Sequence, residues 1–583
     1  METLTTRDRD APDGARISHH RGVSTAPAGP SDDPGNDSLA RSSALMASGT
    51  LVSRLLGFVR TFVQGAAIGT TTEVGAQVFD IANKLPNIFY MLLAGGVLNA
   101  VLVPQIVRGL RQSDGGAEFV NRLVTLALLV MAAMTVVLTL AAPLVVRLYV
   151  SGNWSREWLV LAAAMAFWCL PQIFFYGLYT VLGQVLNAKG SFGPYMWAPV
   201  LNNVIAIAGV VVFLVVAPGA REYTTGDFTP GLIALLAGTS TLGIVAQALV
   251  LFWPLRRSGF RYRPRFGFRG FGFRTAGRVA AWTFAGILVG QLVFVVTQRV
   301  MSGAGAELAR EDVLGATGAS YTPAFLLFML PHSIVAVSLV TALFTRLSSS
   351  AAAGDVAAVR RDFSSGARTV IVAGVLATAA FCSLGTLIGA ALFPDGRFVG
   401  QVLVAMSIGL VPFSVNYLVQ RVFYAYEDAR TAFTVSVVTA AVMAVGNLVS
   451  WLLVPAQWTV VAVGLSMSAS NVVGVLVALT LLRRRLRALD GHGIGGHLIL
   501  RTLVRVLVVG ALSGGVAYGI SRLADPLGDG RVTSLGVVVV GGLALVAVFV
   551  VLCHLMRVRE LEALAVPLLR RLPGGLGARF VRR

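Results

Sequence analysis

The sequence predicts an all-α polytopic membrane protein of about fourteen transmembrane helices, arranged as two pseudo-symmetric six-helix lobes plus two C-terminal helices. Three observations predict it. Hydrophobic residues make up 56% of the 583 and charged residues only 13%, where a soluble domain carries about 25% charged residues. Apolar runs recur along most of the chain, mean hydropathy is +0.77, and runs of about 20 residues suffice to cross a bilayer as helices. Two halves of the chain also echo each other. A transmembrane β-barrel would instead need short alternating segments, and the sequence has none.

Residues 1–43 are polar and rich in Asp, Gly, Pro, Ser and Thr, which predicts a disordered tail. No short apolar stretch with a cleavage site precedes the first span, so no signal peptide is expected. Candidate spans follow at 44–68, 78–107, 122–149, 158–186, 192–217, 231–255, 279–302, 320–347, 367–393, 398–425, 431–455, 458–482, 499–521 and 534–556. In the second, Pro86, Gly95 and Gly96 predict a bend or break. The expected domains are the tail (1–43), a first lobe (44–255), a basic linker (256–278), a second lobe (279–482), a terminal helix pair (483–556) and a basic tail (557–583).

The net charge of +20 could suggest nucleic acid, but its placement argues otherwise. The arginines sit beside the spans on alternate loops, the pattern of the positive-inside rule, which places both termini in the cytoplasm. Arg256, Arg257, Arg261, Arg263, Arg265, Arg269, Arg274 and Arg278 fall in one linker without an acid. That linker can lie on anionic phospholipid or recruit a lipid substrate or partner. Cys169, Cys382 and Cys553 have no metal or disulfide spacing.

The repeat rests on paired signals. Leu85-Pro86-Asn87 and Leu330-Pro331-His332 correspond, as do Gln184–Ala188 and Gln420–Ala425, with offsets of about 240 residues. Secondary transporters commonly carry such repeats, with the substrate site between the two bundles.

The costliest residues are charges inside spans. Arg54, Arg60 and Lys84 lie in the first two, and an intramembrane charge faces a cavity or a polar partner. Arg54 and Arg60, with Gly57 midway, are separated by roughly 9 Å along a helix and about 120° around it. Both can border one wide cavity, and their planar forks suit phosphate oxygens. Asp80 and Lys84 stand one turn apart. They form either a structural ion pair or a ligand-facing cation with its tuning partner. Pro86 frees a backbone carbonyl, and Asn87 can satisfy the broken backbone. His332 and His554 read as satisfied histidines. No Walker motif, metal spacing, nucleophile elbow or catalytic carboxylate pair is present. The expectation is a transporter, not an enzyme, with no cofactor, driven by a coupling ion, the membrane potential or the substrate gradient.

Ser53-Arg54-Leu55-Leu56-Gly57-Phe58-Val59-Arg60 resembles the opening signature of MurJ/MviN lipid II flippases, in the multidrug/oligosaccharidyl-lipid/polysaccharide exporter superfamily. So do Leu85-Pro86-Asn87 with Gly95–Pro104, and Arg421–Ala425 with Asp428–Thr431. The near absence of lysine looks actinobacterial. The resemblance implies a flippase that moves undecaprenyl-pyrophosphoryl-disaccharide-pentapeptide, lipid II, from inner to outer leaflet of the bacterial plasma membrane by alternating access, for cell-wall synthesis. It implies that Arg54 and Arg60 engage the pyrophosphate, with Lys84 and Asn87 beside them and Asp80, Pro86, Gly57 and Asn99 in support. Helices in 483–556 would hold the lipid tail. Asp428 is a candidate for the cation site that some relatives have, and cell-wall synthesis proteins are candidate partners. Thr61, Gln77, Tyr90, Met91 and Leu326 stand where many relatives have charges. Other readings are an exporter of another polyprenyl-linked sugar or drug, and a non-transporting scaffold.

Overall fold

The computed structural model describes residues 34–93, 117–259, 262–266, 277–528 and 530–561. The segments found from hydropathy become helices α1 Pro34–Ile68, α2 Val74–Leu93 and α3 Ala117–Leu140, the last continued by Ala142–Tyr149. They continue with α4 Arg156–Ala188, α5 Gly193–Val216, α6 Pro230–Arg257, α7 Gly277–Glu311 and α8 Gly318–Ala352. The last six are α9 Val356–Leu392, α10 (Arg397–Ser407 and Leu410–Ala425, bent by 50°), α11 Ala429–Leu453, α12 Ala456–Asp490, α13 Gly496–Leu523 and α14 Arg531–Leu555. Among the described residues, twelve helices are long and apolar enough to cross a membrane, thirteen with the bent pair counted. The remaining segment, α2, carries Asp80 and Lys84 together with Gln77, Asn83 and Asn87.

Local chemistry sets the boundaries. Ser155 accepts from the amide of Trp158 to open α4, Asp355 from that of Ala358 to open α9, and Asp428 from that of Thr431 to open α11. Each satisfies an amide that the first helical turn leaves unpaired. Single π turns interrupt α6 at Ala234–Gly238 and α8 at His332–Val337. The second follows Pro331, which lacks the donor that a regular turn needs.

Three boundary expectations need correction. α1 begins at Pro34, so residues 34–43 are helical rather than tail. α2 passes through Pro86 without a break as far as Leu93, because a bundle can re-satisfy the one carbonyl that proline frees; Gly95 and Gly96, the other expected points of bending, lie outside the described residues. The ends of the expected linker belong to helices, since α6 runs to Arg257 and α7 starts at Gly277. Within the linker, the amide of Arg263 donates to Asn121 Oδ1 and that of Arg265 to Thr125 Oγ1, so this stretch docks on α3.

Buried side chains of α2–α6 form two contiguous cores, one around Phe79, Met165 and Phe213 and one around Leu123 and Leu186. Those of α7–α14 form others, around Phe363, Phe423 and Phe549 and around Phe328, Phe393 and Met406. α13 and α14 pack on each other and on α9. α9 and α10 approach until backbones touch: a Cβ on Gly400 would lie 2.4 Å from the Gly385 carbonyl oxygen. Large apolar side chains such as Leu140, Val215 and Leu453 point outward, each at least 75% exposed. Lipid tails rather than water make that arrangement stable.

Candidate substrate cavity and its sealed end

A stripe of small residues on α1 decides where its arginines point. Gly49, Ser53 and Gly57 recur at every fourth position and face α5. A Cβ on Gly49 would meet the Trp197 ring at 2.8 Å, and Asn203 Nδ2 donates to the Ser53 carbonyl at 2.8 Å. Small residues allow this close approach of helices. Arg54 stands about 100° around the helix from Ser53 and so faces elsewhere, while Arg60, seven residues on from Ser53, continues the stripe on the same side.

Arg60 turns into the first-half bundle. Its Nη2 donates to Ser240 Oγ on α6 at 3.4 Å, and its charge lies near Cys169 and Tyr176 on α4. Tyr176 packs against Tyr90 at 5.3 Å between centroids, and the Tyr90 and Thr180 hydroxyls are 2.6 Å apart. Arg54 is exposed and lies within electrostatic reach of His332 on α8. His332 Nδ1 is 2.9 Å from Ser414 Oγ, and its ring rests on Phe413 at 4.5 Å and Tyr417 at 5.3 Å. The two arginines therefore diverge, one toward each half, as six residues of helix require.

Lys84 is not free. Its Nζ contacts Asp80 Oδ2 at 2.6 Å, and Asp80 Oδ1 accepts from Thr322 Oγ1 of α8 at 2.7 Å. The pair is a clasp between α2 and α8. Asn87 is exposed and its amide reaches only Met91 Sδ at 4.0 Å. Asn99 lies outside the described residues. Asp428 caps α11 and pairs with Arg485, so its carboxylate is engaged. Among the described residues no cluster of three His, Cys, Asp or Glu could hold a metal.

Beyond the clasp, the end of the bundle bearing loop 69–73 is sealed. Thr317 Oγ1 donates to the Thr71 carbonyl at 2.7 Å, Ser320 Oγ to that of Thr70 at 2.5 Å, and Thr70 Oγ1 to that of Pro394 at 2.8 Å. Trp154 Nε1 donates to the Ser302 carbonyl at 3.0 Å. Arg221 joins Glu73 at 2.9 Å and Asp395 at 2.5 Å. Burial opposes its charge, but these carboxylates hold the guanidinium above its ordinary value. Arg299 Nη1 donates to the Leu148 carbonyl at 3.2 Å and so caps the helix that ends α3, a role the sequence did not suggest. Among the described residues, the hydrogen bonds that join α1–α6 to α7–α14 gather at this end.

A second feature went unnoticed in the sequence. A cavity of about 450 Å³ lies inside the second half, between α7, α8, α10, α11 and α12. Asn416, Gln420, Asn471 and Thr297 line it and no charged residue does. Only their polarity on otherwise apolar spans could have signalled it.

Comparison with known proteins bears on the family and the fold. The family model described as Lipid II flippase MurJ matches residues 66–540. A probable lipid II flippase MurJ of Rhizobium tropici is 27% identical over 531 residues, covering 88% of this chain and 93% of its own. The lipid II flippase MurJ of Burkholderia cenocepacia is 27% identical over 422 residues, covering 70% and 76%. Among solved structures, a lipid II flippase MurJ in an inward closed conformation superposes with a TM-score of 0.66 at 17% identity, covering 88% of this chain and 99% of that one. An inward-facing multidrug transporter of the MATE family follows at 0.61 and 16%, covering 77% and 99%. An all-helical, multi-pass membrane chain whose sequence matches that family model over most of its length belongs to the MurJ family of lipid II flippases.

Proposed function

We propose that this chain flips lipid II by alternating access between two lobes, α1–α6 and α7–α12, and that the described state is closed at the outer end. The observation that carries the reading is the pairing of a sealed end with unsealed arginines. Interhelical hydrogen bonds gather around Thr70, Thr71 and Thr317, while Arg54 and Arg60 stand further along α1, facing different halves. A pyrophosphate engaged by the exposed Arg54 would sit at the lobe boundary, with Arg60 adding positive potential from within the first half. The basic loops support an orientation with both termini in the cytoplasm of a bacterial plasma membrane and contact with anionic phospholipid there. The pair α13–α14, packed on α9, is placed to guide the lipid tail. Translocation draws on an ion gradient or the membrane potential rather than on a nucleotide. The test is lipid II translocation in vesicles reconstituted with the Arg54→Glu, Arg60→Glu double variant. Loss of flipping in a folded, inserted variant supports the reading, and wild-type flipping sinks it.

A further inference from the structure

The cavity inside the second half has the chemistry of a binding site, and the function above does not use it. Its volume of about 450 Å³ falls within the range of roughly 300–1,000 Å³ typical of small-molecule sites. Two of its lining residues are buried carboxamides with unmet hydrogen bonds. Asn416 on α10 is 7% exposed and its Oδ1 has no partner; Asn471 on α12 is 5% exposed and its Nδ2 has none. Burying an unsatisfied donor or acceptor costs about 1–3 kcal/mol, so two in one cavity are an expense that a ligand would remove.

The pair specifies the ligand. One amide is short of a donor, the other of an acceptor. A secondary amide supplies both, an N–H and a C=O. The walls add the faces of Tyr321, Phe413 and Tyr417, apolar surfaces suited to the C–H faces of a sugar ring. With no carboxylate on the lining, a cation would enter without compensation for its lost hydration. An anion would fare no better, since no cation lines the cavity either. The site selects a neutral, amide-bearing guest.

Its position says where that guest comes from. Phe413 and Tyr417 line the cavity and also pack on His332, which lies within electrostatic reach of Arg54 across the lobe boundary. A group attached to a pyrophosphate at Arg54 therefore lies one aromatic layer from the cavity. We infer that the second-half cavity receives an acetamido-sugar of the lipid-linked substrate, read by Asn416 and Asn471. This rests on the flippase reading and adds a headgroup subsite to it.

The test compares binding of lipid II with that of undecaprenyl pyrophosphate, which has the same anion and tail and no sugar, to the full chain in detergent. The wild type should prefer lipid II by about tenfold or more, as expected when a site's buried polar groups are otherwise left unpaired. The Asn416→Leu, Asn471→Leu variant should bring that ratio close to one and leave undecaprenyl pyrophosphate binding unchanged. Gly290 lines the cavity and a Cβ there meets nothing within 4 Å, so Gly290→Phe can occupy the space with both amides retained in the sequence and should have the same effect. A wild-type ratio near one, or a ratio unchanged in both variants, overturns the inference. Failure of the flippase reading looks different: vesicles reconstituted with the wild type would then show no lipid II translocation, whatever the binding ratio.

Discussion

The clasp formed by Asp80, Lys84 and Thr322 gives a prediction whose sign depends on which partner is removed. Asp80 is 8% exposed and Lys84 20%, so neither charge is well solvated without the other. Asp80→Asn keeps the shape and can still accept from the Thr322 hydroxyl, so it isolates the charge. Removing one member of a buried pair costs about 3–5 kcal/mol, because the other is left uncompensated. The residual exposure of Lys84 puts the expectation at the lower end, about 3 kcal/mol. Asp80→Asn with Lys84→Met removes both charges, and should return stability to within about 1 kcal/mol of wild type. The assay is thermal unfolding of the purified protein in detergent for wild type, both single variants and the double. The single variants should melt well below the double. If Asp80→Asn and the double variant melt together, the pair is solvated and the clasp is not a buried interaction.

Three further outcomes follow from distances elsewhere. On α1, Gly49→Ala places a methyl 2.8 Å from the Trp197 ring, while Gly57→Ala meets nothing nearer than 3.8 Å; the first should cost about 1–3 kcal/mol by overpacking and the second should be neutral or slightly stabilising, as helical Gly→Ala usually is, both read from melting midpoints. At the sealed end, Glu73 is 12% exposed and also accepts from the Thr71 amide and hydroxyl, whereas Asp395 is 40% exposed. Glu73→Gln should therefore loosen the closure more than Asp395→Asn, whose solvent-screened pair is worth about 0.2–1 kcal/mol, as measured by the loss of cross-linking between cysteines placed at positions 70 and 394. Asp428→Ala should destabilise by about 1 kcal/mol through loss of the α11 cap, with further loss from the unpaired Arg485, yet leave any cation dependence of translocation unchanged.

The helices were legible because each span must satisfy its own backbone within the bilayer, which makes long apolar runs nearly unambiguous. The angular separation of Arg54 and Arg60 was legible from six residues of helix, but the expectation that both border one cavity did not foresee Arg60 turning to Ser240 in the first half. What each charge touches was not legible. Lys84 could be read as an ion pair or as a ligand group, and only the position of Thr322, some 240 residues away along the chain, gives Asp80 its second partner. Gly57 was noted as a spacer between the arginines, but its function as part of a packing stripe depends on where Asn203 falls on α5. The polar cavity was invisible because its amides come from different helices and carry no charge. Hydropathy detects charges in apolar spans far more readily than amides.

The materials of the sealed end explain how it can open. It is held by hydroxyl-to-carbonyl hydrogen bonds through Thr70, Thr317 and Ser320, and by one partly exposed arginine with two carboxylates. The cores around Phe79 and Phe328 belong to separate halves, joined at their margins by Phe58 and Phe62 of α1 against Phe393 and by Phe294, Val295 and Ala306 of α7 against the first core, so parting the halves also exposes that apolar seam. Each such hydrogen bond is worth about 0.5–1.5 kcal/mol net, and water can replace it once the loops separate. Closure by this kind of bond gives two states a few kcal/mol apart, within the range that differential binding of one ligand can invert. The exception is the Asp80–Lys84–Thr322 clasp, which holds an ion pair within the bundle. Opening must either carry Asp80 and Lys84 away together as a neutral pair on α2 or expose both to water. Only the first keeps the cost within reach of substrate binding, so the clasp should part at Thr322, between α2 and α8, while the ion pair travels intact.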